Sequence, residues 1–114
     1  VGKAIYYFVC HTVVNDRKGI YGDTSFTPYS DNFFRYALLC KASLQLCEAL
    51  NWRPDILHAH DWTAGLVPYF LKVNRNQFFM GTQTVFTIHN LAYQGTFSRM
   101  DFLFANVKPD ESLF

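Results

Sequence analysis

Ionisable and polar side chains follow directly on two apolar segments of this 114-residue chain. His58, His60 and Asp61 end the first segment, DILHAHDW, and His89 and Asn90 end the second, TVFTIHN. Imidazole and carboxylate groups of this kind can transfer protons, hydrogen-bond the hydroxyl groups of a substrate, or bind a metal ion. We therefore expect a functional site at the ends of these two segments.

Each of these residues also has a purely structural explanation. His58 and His60 point the same way from one strand and could begin a metal site, or they could simply be hydrogen-bonded within the fold. Asp61 could act as an acid or base, accept hydrogen bonds from sugar hydroxyls, or cap the following helix. His89 could bind a hydroxyl, shuttle a proton or be a buried imidazole. Asn90 could contact a ligand or turn the chain.

The hydrophobic pattern predicts the elements that would position these residues. Short apolar segments at 4–10, 55–60 and 84–89 are typical of strands buried on both faces of a parallel sheet. Segments 33–50 and 64–73 have helical apolar spacing. Strands that alternate with helices predict an α/β fold, a Rossmann-like parallel sheet with flanking helices, in which ligands bind beyond the carboxyl ends of the strands.

Four smaller features complete this prediction. Residues 15–32 form a long polar loop, and loops of this length are usually functional or mobile. Ser30 or Asp31 offers a capping oxygen for the helix that follows, and Arg35 falls outside the apolar stripe of that helix. A short helix is expected at 100–104.

Composition excludes several classes of partner. The formal net charge is +1, with no basic face, so neither nucleic acid nor an anionic membrane is expected as a partner. No apolar run reaches the roughly 20 residues of a membrane span. Cys10, Cys40 and Cys47 lie in apolar segments and indicate buried, reduced thiols. The chain starts without Met and ends without a cap, so we expect it to be an excerpt of a longer protein.

Two segments carry a resemblance to a known family. RPDILHAHDWTAGLVPYFLK, followed by TVFTIHNLAYQGTF, closely resembles the bacterial glycogen synthases and plant starch synthases that use ADP-glucose, and DRKGIYG and YSDNFFRYALLCKASLQL match the same family upstream. The resemblance implies a GT-B glycosyltransferase with two Rossmann-like domains. Residues 1–114 would be part of its N-terminal, acceptor-side domain, with the C-terminal donor-binding domain outside the chain.

The resemblance also implies an activity. The family transfers glucose from ADP-glucose to the non-reducing end of an α-1,4-glucan, with retention, in glycogen or starch synthesis; it needs no metal or cofactor, since ADP-glucose is a substrate. Asp61 and His89 would be its catalytic residues, and Tyr21 and Asn90 would bind substrate. Thr63 departs from the pattern, because many members have His there. The location would be the bacterial cytoplasm, or a plastid in a plant.

Two other functions are kept as alternatives. One is a metal-dependent hydrolase built on His58, His60 and His89. The other is a non-catalytic, glucan-binding remnant of a synthase. Because the family's donor-binding glycine-rich loop is absent from this sequence, we expect these 114 residues to be inactive by themselves.

Overall fold

Two parallel strands form the sheet of this computed structural model, which describes residues 3–74, 76–105 and 107. Strand β1 covers Ile56–His60 and strand β2 covers Gln83–Thr87. The pairing runs in register from one end to the other, so that both strands finish at the same edge of the sheet. The predicted parallel arrangement is confirmed.

Three of the four helices lie at nearly the predicted positions, and the short helix at Thr12–Asn15 was not predicted. The second helix is the longest, contains no glycine or proline, and ends before the Arg53–Pro54 pair, where helical angles are disfavoured. A 3-10 turn precedes the third helix and another follows it, at Trp62–Ala64 and Gln77–Phe79. The four helices are α1 (Thr12–Asn15), α2 (Asn32–Ala49), α3 (Leu66–Asn74) and α4 (Arg99–Phe104).

The hydrophobic core lies between α2, α3 and one face of β1, and the expectation that the strands are buried on both faces is wrong. Leu57 and Ala59 of β1 face this core, whereas Ile56, His58 and His60 alternate to the exposed face. A second helical contact joins α4 to α2. The buried core residues are Phe33, Ala37, Cys40, Leu44, Cys47, Ala59, Val67, Phe70, Phe79, Ala105 and Val107. The α/β fold class is thereby confirmed.

The predicted strand at 4–10 is wrong for this structure. Residues 4–10 form no regular element, and Ile5 and Phe8 are 76% and 84% exposed. An apolar run becomes a buried strand only if a neighbouring strand pairs with it and helices cover it. No described element does either for this segment. Cys10 is consequently exposed, while Cys40 and Cys47 are buried as predicted, and all three thiols are free.

The strand predicted at 84–89 ends two residues earlier than expected, at Thr87. The ladder ends at the pair His60–Thr87, so Ile88 and His89 continue beyond the strand. The backbone of Asp61 turns away there with a φ of 57°. No helix among the described residues is long and apolar enough to cross a membrane.

Candidate active site

Asp61 and His89 meet where the two strands end. The Oδ1 atom of Asp61 accepts a hydrogen bond of 2.7 Å from the backbone N–H of His89. The backbone N–H of Asp61 donates in turn to the carbonyl of Thr87, at 2.9 Å. The two segments are therefore joined in both directions, and the two predicted catalytic residues are direct neighbours.

The conformation of Asp61 is unusual for a residue with a side chain. Its φ of 57° and ψ of 176° lie in a region that costs a non-glycine residue about 1–3 kcal/mol, and such strain clusters at functional sites. Asp61 stands at the N-cap of the Trp62–Ala64 turn, but its carboxylate makes no capping hydrogen bond. The capping explanation for Asp61 is therefore wrong, because its carboxylate bonds to His89 instead.

The imidazoles form a row along the exposed face of the sheet. His60 Nδ1 and His89 Nε2 are 3.0 Å apart, with ring planes inclined by only 20°. One of these two nitrogens must donate the hydrogen bond and the other must accept it. Nε2 of His89 is therefore occupied by His60, and Nδ1 of His89 is the ring nitrogen that can bind another partner. His58 binds the hydroxyl of Thr87, at 2.7 Å. None of the three rings is buried.

The arrangement does not favour the metal-dependent hydrolase. Within 3–74, 76–105 and 107, no three His, Cys, Asp or Glu side chains are grouped so that they could hold a metal ion. His58 directs its Nε2 to Thr87, and the rings of His58 and His60 are in contact, with centroids 4.1 Å apart and planes tilted by 30°. Hydrogen bonding within the fold accounts for this pair.

Tyr21 reaches the site through an aromatic contact. Its ring lies 5.8 Å from that of Trp62, the residue directly after Asp61, and 6.3 Å from that of Tyr36. Tyr21 is 54% exposed, so its ring does not belong to the core. The long loop thus brings a phenol ring next to the strand end that carries Asp61.

Asn90 makes the hydrogen bonds of a turn. Its Oδ1 atom accepts from the backbone N–H of Ala92, at 3.0 Å, and its carbonyl accepts from Tyr93, at 3.3 Å. This geometry supports the structural explanation for Asn90. Contact with a substrate remains a prediction for this residue.

A pocket of about 220 Å³ opens beside Trp62. Aromatic rings form much of its wall, among them Tyr36 and Phe97. Gly95, which also lines it, has a φ of 60°, and a Cβ atom there would lie 2.5 Å from the Trp62 ring. Gly95 was not singled out from the sequence. Its position six residues after His89, in the segment that follows the second strand, was the only indication that it could lie near the site.

Arg35 also differs from its prediction. It falls outside the apolar stripe of α2 in the sequence pattern, yet it is only 3% exposed. Helical spacing gave no signal for this burial, because it places Arg35 only relative to other residues of α2 and not relative to the loop that covers it.

The fold and the site together define an α/β domain with polar groups at the carboxyl ends of parallel strands. A family model described as starch synthase catalytic domain matches residues 2–113. The chain belongs to this family, which confirms the resemblance seen in the sequence.

Three bacterial glycogen synthases are among the similar proteins. That of Treponema denticola is 45% identical over 101 residues, which cover 88% of this chain and 21% of the relative. That of Anaeromyxobacter sp. (strain Fw109-5) is 47% identical, covering 85% and 21%. That of Elusimicrobium minutum is 40% identical, covering 90% and 21%. The chain spans about a fifth of the length of these curated relatives.

Proposed function

We propose that the protein containing this chain is a retaining glucosyltransferase that extends an α-1,4-glucan at its non-reducing end with glucose from ADP-glucose. Family membership supports the reaction class, and the similarity to glycogen synthases supports glycogen as the product. The observation that carries the proposal is the 2.7 Å hydrogen bond between Asp61 and His89 at adjoining strand ends. This bond joins the carboxyl ends of the two strands, and the ends of open parallel sheets are where ligands commonly bind, which supports a sugar site there.

In this proposal the imidazole of His89 orients the glucose that is transferred. Its Nε2 is engaged with His60, so Nδ1 is the atom that would meet a sugar hydroxyl. Hydrogen bonds to sugar hydroxyls strengthen as the sugar ring acquires oxocarbenium character in the transition state. They therefore lower the activation free energy of glucose transfer as well as improving substrate binding.

Asp61 has two tasks in the same proposal. Its Oδ1 atom holds the His89 backbone, and its Oδ2 atom, which bonds to no other described residue, would accept from the acceptor sugar or from neighbouring polar groups. Tyr21 and Asn90 are proposed as substrate contacts. For Tyr21 the support is its ring contact with Trp62, the residue next to Asp61.

The remaining parts of the proposal rest on the family. ADP-glucose acts as a substrate, and no further cofactor or metal is called for. Residues 1–114 would form part of the acceptor-side domain of a GT-B enzyme, and the groups that hold the donor diphosphate would come from elsewhere in the protein. Because the relatives described above are bacterial, we place it in a bacterial cytoplasm rather than a plastid.

The decisive experiment uses the complete protein that carries this chain. It is incubated with ADP-glucose and a maltooligosaccharide, with UDP-glucose in a parallel reaction, and the products are separated by chain length. Extension from ADP-glucose is the expected result. A folded protein that binds the oligosaccharide but never extends it would indicate the glucan-binding remnant. A protein that holds stoichiometric zinc and loses a hydrolytic activity on chelation would indicate the hydrolase.

A further inference from the structure

Arg35 is a buried cation at the start of α2. Only 3% of its surface is exposed, and no carboxylate of the described residues lies within ion-pairing distance. The ion pair nearby joins Arg17 to Asp31, at 2.5 Å. Burying a charge without an opposite charge is costly, so the contacts that replace water around this guanidinium need an explanation.

Backbone carbonyls and aromatic faces supply those contacts. The Nε atom of Arg35 donates to the carbonyl of Val13, at 3.1 Å, and Nη1 donates to the carbonyl of Ile20, at 2.9 Å. The guanidinium carbon lies 5.1 Å from the centre of the Tyr29 ring and 5.5 Å from that of Tyr36. A planar guanidinium suits this set because it directs several donors in fixed directions while its face packs on aromatic rings.

These bonds converge on the backbone on both sides of Tyr21. The Ile20 carbonyl accepts from Arg35 and also from the Tyr36 hydroxyl, at 2.9 Å. The Tyr21 carbonyl accepts from Asn32 Nδ2, at 2.7 Å, and the Oδ1 of Asn32 in turn accepts from Arg35, at 2.6 Å. Arg35, together with Asn32 and the Tyr36 hydroxyl, therefore orders the part of an otherwise exposed loop that carries Tyr21.

We propose that Arg35 is a positioning residue for the transfer reaction, which holds Tyr21 against Trp62 so that the substrate site beside Asp61 is formed before substrate arrives. The inference rests on the proposed function, because Tyr21 is there a substrate contact. A loop ordered in advance does not lose conformational freedom on binding, so the benefit is expressed in substrate affinity. Loss of the anchor then weakens binding more than it slows the chemical step.

The test compares three variants of the complete protein in the glucan-extension assay. Arg35→Lys keeps the charge but cannot reach both carbonyls, and we expect it to raise KM about fivefold to tenfold with kcat within about twofold, as fits the loss of one or two hydrogen bonds. Tyr36→Phe removes the other hydrogen bond to the Ile20 carbonyl and should raise KM by less than Arg35→Lys does. If Arg35→Lys folds poorly, an unchanged KM in Tyr36→Phe would contradict the anchoring of Tyr21 through Ile20. Leu44→Ala destabilises α2 from the core side and should leave KM unchanged.

Limited proteolysis gives a second readout, because Arg17 and Lys18 place trypsin sites in the anchored loop. Arg35→Lys should be cleaved there faster than Leu44→Ala at equal thermal stability. An active Arg35→Lys protein with unchanged KM and unchanged cleavage would overturn the inference about Arg35 alone. If the unaltered protein extends no glucan, the proposed function fails, and the role of Arg35 in it fails too.

Discussion

At the residue scale, the carboxylate of Asp61 binds the backbone of His89 and not its ring. The imidazole is instead held by His60, through a single ring nitrogen. Removing the ring therefore leaves the link between the two strand ends intact. Replacing His89 by alanine therefore tests the role of the imidazole without breaking the backbone hydrogen bond to Asp61.

His89→Ala is expected to lower kcat about 100-fold while changing KM little, because the lost hydrogen bond would be strongest in the transition state. The measurement is glucan extension by the complete protein at several donor and acceptor concentrations. His58→Ala is the matched control, since it removes a neighbouring exposed imidazole that binds Thr87. A rise in KM at constant kcat would contradict the role proposed for His89.

Gly95→Ala is expected to lower the free energy of unfolding by about 1–3 kcal/mol, because its Cβ would overlap the Trp62 ring. Urea unfolding followed by tryptophan fluorescence measures the change. Gly81→Ala is the control: its φ of 93° is also unfavourable for alanine, but no atom lies within 4 Å of the new Cβ. Equal losses in both variants would show that backbone strain, and not the contact with Trp62, is responsible.

At the element scale, α2 supplies both the largest part of the core and the anchor of the Tyr21 loop. Its uninterrupted helix-forming sequence made its bounds predictable within one residue at each end. The same pattern could not assign Arg35, because helical spacing gives the face of a residue only relative to its own helix. Which loop covers that face depends on the path of residues 13–29, which are distant in sequence.

Cys40 makes the stability of α2 sensitive to alkaline pH. Burial raises the pKa of this thiol from 9.0 to about 11, and burial also raises the pKa of Cys47. The unfolded chain therefore loses its thiol proton first. The stabilisation is complete below pH 9 and is lost as the pH rises towards 11, by about 2–3 kcal/mol for Cys40.

Urea unfolding of the protein at a series of pH values measures this slope. Cys40→Ala should flatten it, whereas Cys10→Ala, which alters an exposed thiol, should leave it as steep as before. A slope that is the same in Cys40→Ala and in the unaltered protein would assign the alkaline sensitivity to other groups, such as Tyr36, whose pKa is also raised by burial.

At the scale of the whole molecule, the described surface includes a large apolar area. Tyr6 and Phe8 are 78% and 84% exposed, one face of β1 is open, and Val85 and Phe86 of β2 are each 43% exposed. Contiguous apolar surface and unpaired strand edges both promote association. The 114-residue chain by itself is therefore expected to associate as its concentration rises.

Sedimentation velocity over a range of concentrations tests this expectation. Phe8→Asp should shift the 114-residue chain towards the monomer, because it places a charge in the apolar segment. Thr24→Asp adds the same charge in an exposed polar loop and should have little effect. A chain that stays monomeric at every concentration would contradict the expected association. Two variants that behave alike would show that the apolar segment around Phe8 does not cause it.

Local sequence determined α2, α3 and α4, the two parallel strands and the identity of the strand-end residues, because helix and strand periodicities and chain breakers act over a few residues. It also carried the family resemblance. Tertiary structure alone decided that Asp61 bonds to the His89 backbone, that Arg35 is buried, and that residues 4–10 form no strand. Each of these depends on a partner far away in the chain, and a hydrogen bond or a sheet pairing exists only when the fold brings both partners together.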